Sequence, residues 1–468
     1  MSTVSGTSSV LQQAAQSILS GVTNSQLDVN TLVSALVTGA TAAQAQTIAI
    51  AANSDSTQLS ALGSMQSSMS NLLSSLGGLA DGSAFTQLAA TMSGSGITAT
   101  TSTGAAAGSY SVSVQQIATA NQISSKAYAS GATLGTGNLN IGVGSSTMTI
   151  ALTSSNNTLA GIASAINSAS NNPGVTASVV TATDGQHLVL TSTQTGAANT
   201  VAVTADPTVD TGMATANFTQ VTAAQDAKLT ISGNAVTSAS NNVTSALSGV
   251  TLSLTSAAVG TTQNLSVATN TSAITTTLQN FTTAYNAWVS TVKSLSSYDS
   301  TSHAAGPLLG DAMLNSAVNG IASIMASGVT VGGTTYSLAQ LGVNLKDDGT
   351  VSLDSSALQS TLASSPSMVS NTFNSTNGIG EQLSSFISSY TSAVTGQIAQ
   401  RNTTLQSDLT AQQQAQSSLA TYQANLTSQY QAEFTRLNAI MSQTQSNTTY
   451  LNQLFGGNGS AGTLNKSS

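Results

Sequence analysis

Between Glu381 and Phe455 the apolar side chains fall on two helical lines. Reading every seventh position gives Ile398, Leu405, Gln412, Leu419, Leu426, Glu433 and Ile440, and a line four residues further on carries Leu409, Tyr430 and Leu437. With no Pro and only Gly396 inside it, this stretch predicts one long helix whose apolar stripe is a coiled-coil seam. Gln412, Gln416, Gln423 and Glu433 interrupt the stripe, so the helix needs a partner and holds it loosely. The other end of the chain offers one. Leu59, Leu62, Met65, Met69, Leu72, Leu76 and Leu79 step by threes and fours, which makes one face of a second helix apolar. Before it, Asp28 or Asn30 caps a short helix that presents Leu32, Val33, Leu36 and Val37 together. The Ala/Gln-rich stretch to Ala52 continues that helix, and Gly77-Gly78 and Asp81-Gly82 break the pattern.

The middle of the chain has a different period. Tyr110-Ser-Val112-Ser-Val114 alternates strictly, as a half-buried strand does. Gly, Thr and Asn punctuation divides the region after it into short strands at Leu139–Val143, Met148–Leu152, Val175–Val180, Leu188–Leu190, Val201–Val203, Lys228–Ile231, Val250–Leu254 and Leu265–Val267. One helix, Leu159–Ala169, places Leu159, Ile162, Ala163 and Ile166 on one face. At Ile274 the helical period returns, through Leu278, Phe281, Tyr285, Trp288, Val292 and Leu295. This second heptad seam reads as intramolecular core, whereas Ile398 to Ile440 reads as a helix that packs between subunits. Val343-Asn-Leu345 and Val351-Ser-Leu353, joined through Asp347-Asp348-Gly349, predict a hairpin. The fold class is therefore α+β and multidomain: terminal coiled-coil helices and a helical domain drawn from both chain ends, with β-rich domains inserted between them. The expected parts are a leg from residues 1–50 and 395–468, a helical core from 51–95 and 272–394, a β-rich domain from 96–130 and 223–271, and an inserted β-rich tip from 131–222.

Charge sharpens this picture. Only 5% of the 468 residues are charged, against about 25% in an ordinary soluble domain, so Ser, Thr, Asn and Gln carry the surface. Such a surface suits subunits packed side by side. Seven Lys plus Arg and a net charge of −8 make no basic stripe, so nucleic acid and anionic membrane are not expected partners. The chain has no Cys, which excludes disulfides and thiolate metal sites. Met1 to Ser20 has neither a basic region nor an apolar core, so no Sec-type signal is expected. No unbroken apolar run of about 18 residues occurs, and membrane insertion is not expected.

Catalytic chemistry finds little support. His187 sits beside Gly185 at a strand edge and His303 in a loop near Pro307, and both read as surface residues. No Gly-x-Ser-x-Gly elbow stands between a strand and a helix, and no segment has zinc-ligand spacing. Asn344 to Ser355 has the outline of a calcium loop, but Lys346 and Ser355 occupy ligand positions, so the hairpin is the better reading. Neither enzyme activity nor any cofactor or metal is expected.

Several segments, taken in order, resemble the flagellar filament-cap family, hook-associated protein 2. Leu27-Asp-Val-Asn30 followed by Leu32-Val33 and Leu36-Val37 is similar to its N-terminal entry, and Gly104 to Ala120 to the strand leaving its N-terminal domain. Leu139 to Val179 is similar to the small insertion motif of hook and flagellin proteins. Asn280 to Asp311, with Tyr298-Asp299 and Gly306-Pro-Leu-Leu-Gly-Asp311, and then Leu338 to Leu358, resemble its C-terminal domain. The departure is charge: the family often places Lys and Glu in terminal helices where this chain has Gln, Ser and Ala.

The resemblance implies a secreted structural protein at the distal tip of the bacterial flagellar filament, working in motility by retaining exported flagellin and promoting its polymerisation. It implies a self-assembled ring of about five or six protomers, with flagellin and the hook–filament junction proteins as neighbours. Export would run through the flagellar type III apparatus with the help of an export chaperone. Cell adhesion accompanies this role in some members. The apolar lines single out as interface residues Leu32, Val33, Leu36, Val37, Ile398, Leu405, Leu409, Leu419, Leu426, Tyr430, Leu437 and Ile440, and as helical core Leu278, Phe281, Tyr285, Trp288 and Val292. A flagellin-like or other hook-associated filament subunit and a surface adhesin are the alternatives.

Overall fold

The computed structural model describes residues 29–455, so Asp28 lies outside the described residues. The chain forms two compact units, one built from residues up to Asp81 and from Thr277 onward, the other from Gly82–Thr276. The helical unit opens with α1 (Val29–Ala80), a single helix of 52 residues. The two helices and the Ala/Gln-rich join expected between Asn30 and Leu79 are thus one element. Gly77 and Gly78 do not break it, although a helical Gly costs about 1 kcal/mol against Ala. Leu76 and Leu79 flank them fully buried, and that burial outweighs the propensity. The helix ends at Ala80, whose carbonyl accepts from Asn374 Nδ2 at 2.6 Å. By length and composition alone α1 is also apolar enough to cross a membrane, against the expectation that no segment qualifies. Its many Ala residues keep the average apolar without any long unbroken run.

The inserted unit begins with a single turn, α2 (Ser83–Thr86), and β1 (Leu88–Met92), β2 (Ile97–Thr101), β3 (Gly108–Gln116) and β4 (Ala120–Ser124) follow. Next come β5 (Gly137–Val143), β6 (Ser146–Leu152), α3 (Leu159–Ser168), β7 (Val175–Ala182), β8 (Gly185–Thr195) and β9 (Val201–Ala205). The unit closes with β10 (Thr219–Thr222), β11 (Ala227–Ile231), β12 (Asn234–Ser238), β13 (Asn242–Leu247), β14 (Val250–Leu254) and β15 (Thr262–Thr269). A five-stranded sheet in the order β1-β15-β3-β11-β12 and a three-stranded sheet β13-β14-β2 share one core around Val112, Val114, Leu229, Leu252 and Leu265. The other sheets, β10-β4-β8-β7 and β6-β5-β9, enclose with α3 a second core around Leu139, Ile141, Ile162, Ile166, Leu188 and Leu190. Thr158 caps α3 by accepting from Gly161 N at 3.2 Å, and Leu159, Ile162, Ala163 and Ile166 are its buried face.

The edge strand β7 is partly closed by side chains. Asn172 bonds both the N–H and the carbonyl of Val175, each at 2.8 Å, and Asn167 does the same for Ala177 at 2.9 and 2.7 Å. Occupying edge groups in this way blunts a strand that carries no charge of its own.

The chain then returns to the helical unit through α4 (Thr271–Ser296) and α5 (Ala312–Ala326). Hairpins Val329–Val331/Thr334–Tyr336 and Val343–Leu345/Val351–Leu353 precede α6 (Ser355–Ser364), α7 (Ser367–Asn374), α8 (Ile379–Thr391) and α9 (Gln397–Phe455). Phe281 of α4 meets Phe373 of α7 edge to face at 5.8 Å, the geometry aromatic quadrupoles favour. Asn286 clamps the second hairpin, donating to Val351 O at 2.9 Å and accepting from Val351 N at 2.8 Å. Gly320 of α5 lies under the Phe386 ring of α8, where a Cβ would collide with the ring. The single helix expected from Glu381 to Phe455 is in fact two, broken between Thr391 and Gln397. Gly396 is why: a Cβ there would run into the Ser392 and Tyr390 carbonyls, so the chain turns where only Gly fits.

Candidate assembly interface

The long helices α1 and α9 run antiparallel, and three contacts fix their register. Arg401 Nη2 donates to Gln58 Oε1 at 3.2 Å, Gln423 Nε2 donates to Thr41 Oγ1 at 2.7 Å, and Leu32 with Ala35 packs on Phe434. Gln423, which breaks the apolar stripe in the sequence, is therefore used. Thr41 is buried and donates to Val37 O at 2.8 Å, so the glutamine and the threonine form a satisfied polar layer within the seam. A layer of this kind pins register at a cost in stability.

Burial along α9 fades toward its end. Ile398, Leu405 and Leu419 are buried, Leu409, Leu426 and Tyr430 are half-buried, and Leu437 and Ile440 are exposed. On α1, Leu32, Val33, Ala35 and Val37 are buried, while Leu36 is 38% exposed. The sequence grouping of Leu32, Val33, Leu36 and Val37 thus has Ala35 on its buried side and Leu36 outside. Phe434, the aromatic that receives Leu32, lies on neither heptad line. Further along α9, Met441, Tyr450, Leu451 and Leu454 are exposed as well.

In the helical core Leu278, Phe281, Tyr285 and Trp288 are buried and Val292 is half-buried. Burial raises the Tyr285 phenol above its ordinary pKa. The residues weighed for chemistry stand apart from one another. His187 is bonded within the inserted unit, and His303 lies at a turn with φ 56°. Asp348, within the segment that has the outline of a calcium loop, accepts from Thr350 N and Oγ1, at 3.0 and 2.6 Å. Among the described residues no three His, Asp or Glu side chains converge.

The chain matches the flagellar hook-associated protein 2 N-terminus over residues 25–121, the flagellin hook IN motif over 138–194 and the flagellar hook-associated protein 2 C-terminus over 224–446. It is 32% identical to flagellar hook-associated protein 2 of Escherichia coli K12 over 473 aligned residues, covering 93% of this chain and 97% of that protein. The chain belongs to the flagellar hook-associated protein 2 family. B-type flagellar hook-associated protein 2 of Pseudomonas aeruginosa is 28% identical, over 88% of this chain and 92% of its own length. The crystal structure of the D1-D2-D3 domains of the Escherichia coli flagellar cap protein FliD superposes with a TM-score of 0.56 and 28% identity, covering 74% of this chain and 99% of that one. As a hook-associated protein 2, this chain is a structural component of the bacterial flagellum, a filament cap exported to the distal tip, and not an enzyme. The alternatives of a filament subunit and an adhesin gain no support from these matches.

Proposed function

We propose that the protein caps the growing filament as a ring of about five or six copies, holding exported flagellin at the tip and promoting its polymerisation. In this reading residues 1–50 and 395–468 form a leg set among flagellin subunits, and residues 51–95 and 272–394, apart from β1, which pairs with β15 in the inserted unit, form the helical core above it. Residues 96–130 with 223–271, and the tip 131–222, form a β-rich plate. Hook–filament junction proteins, the type III export apparatus and an export chaperone complete the set of partners. The observation that carries the reading is the apolar face of α9 near its end, where Leu437, Ile440, Met441 and Leu451 are exposed. An apolar stripe of this kind on a helix whose last charged residue is Arg436 suits burial between subunits.

The test pairs light-scattering mass and electron microscopy of the purified protein with flagella from a deletion strain. Discrete rings, and flagellin lost to the medium in the deletion, support the proposal. A monomer at all concentrations together with normal filaments in the deletion overturns it.

A further inference from the structure

The end of the β7–β8 hairpin is fastened to the segment that follows β4. Tyr128 N donates to Gln186 O at 2.9 Å and Gln186 N to Tyr128 O at 2.8 Å. Ser125 N donates to Leu188 O at 2.9 Å, and Ser125 Oγ accepts from Leu188 N at 2.9 Å. His187 stands between these pairs. Its Nδ1 lies 2.7 Å from the Ser125 carbonyl oxygen and its Nε2 lies 3.0 Å from Asp184 Oδ1. A carbonyl oxygen and an ionised carboxylate can only accept, and a neutral imidazole has a single N–H. Both contacts are hydrogen bonds only when both ring nitrogens carry a proton.

We propose that His187 is a pH-sensitive latch: its doubly protonated ring ties the Asp184 turn to the Ser125–Tyr128 segment, and loss of one proton releases one of the two. Among the described residues the ring has no other charged partner. Its cross-strand neighbour on β7 is Val180. On the opposite side Lys126 is paired with Asp210 at 3.1 Å, and Tyr128 donates to the same carboxylate at 2.9 Å. Burial works against ionisation of Asp210, but the Gly212 N–H, Lys126 and Tyr128 together hold its pKa below the usual range. Asp184 is therefore the carboxylate that meets the imidazole.

The electrostatics follow the same geometry. The Asp184 bond, and after it the Ser125 carbonyl, raise His187 above its ordinary value, with burial opposing. The His187 bond holds Asp184 below its own. A histidine raised in the folded state contributes stability that is whole below about pH 6.5 and is lost as pH climbs through the folded value. The Asp184 contribution is lost only as pH falls through its lowered value. The latch is closed between these limits and opens on the alkaline side. At the distal tip of a flagellum it meets the pH of the medium, not that of the cytoplasm. The inference does not depend on how flagellin is held.

With two histidines in the chain, histidine-labelled full-length protein yields two imidazole signals, assigned with His303→Gln. His187 is expected to titrate above the ordinary histidine value and to fall toward it in Asp184→Asn. Amide exchange in Ser125–Tyr128, corrected for intrinsic rate, should quicken through the same midpoint in the native protein and lose that step in His187→Gln. A His187 midpoint at or below the ordinary value, an unchanged midpoint in Asp184→Asn, or the same exchange step in His187→Gln would each overturn the latch.

Discussion

The two halves of α1 are one continuous helix packed in two different ways. In its C-terminal half Leu62, Met65, Met69, Leu72, Leu76 and Leu79 are all essentially inaccessible. In its N-terminal half the buried residues stop at Thr41 and do not resume until Ala61. Fully burying a large aliphatic side chain stabilises by about 1.5–3 kcal/mol, whereas in the intervening stretch Ile48 and Leu59 are only half-buried, Ile50 is exposed, and the Ala, Gln and Thr side chains have little apolar area to bury. The stability of α1 is therefore concentrated where it meets the helical core. The seam with α9 is shallower, with buried apolar residues at its two ends and the Arg401–Gln58 and Gln423–Thr41 contacts along it. A helix firm at its C-terminal half and lightly held through its middle suits the proposed leg, which must accommodate each arriving subunit.

The comparison makes graded predictions. Leu72→Ala should cost about 2–5 kcal/mol, as cavities in well-packed cores do, read from urea unfolding of the full chain. An equal loss from Ala45→Gly, in the shallow stretch, would erase the distinction between the halves. Gly320→Val should cost about 1–3 kcal/mol by overpacking against Phe386, and Phe386→Ala in the same chain should recover part of it. Gln423→Leu should change stability by only about 1 kcal/mol. Thr41 keeps its bond to Val37 O, so what that substitution loosens is register, visible as faster amide exchange along α9.

The sequence made the large periodicities legible and hid what depends on small residues. The strands with large alternating side chains, such as β5, β6 and β14, emerge directly from their pattern. β1, β4, β10, β12 and β13 are mostly Ala, Thr, Ser, Asn and Gln, and pairing with neighbours, not their own alternation, makes them strands. The break at Gly396 depends on carbonyls brought close by the turn itself, which no periodicity reports. Phe434 illustrates a geometric limit. A straight helix drifts by about 20° per heptad from a seven-residue repeat, so over the five heptads from Ile398 to Glu433 the facing position moves by about one residue. Glu433 turns outward and Phe434 takes its place against Leu32. Counting turns, not heptads, would have found it. In the candidate interface the sequence showed the stripe, but not that Gln423 would be satisfied by Thr41 or that Leu36 would remain outside.

The most direct test of the division of labour is filament length in cells carrying Leu426→Asp, a half-buried position on the shallow seam. The account predicts that the purified variant keeps the thermal unfolding of its β cores, while the cells make short or no filaments and shed flagellin into the medium. Filaments of normal length with normal motility would contradict it.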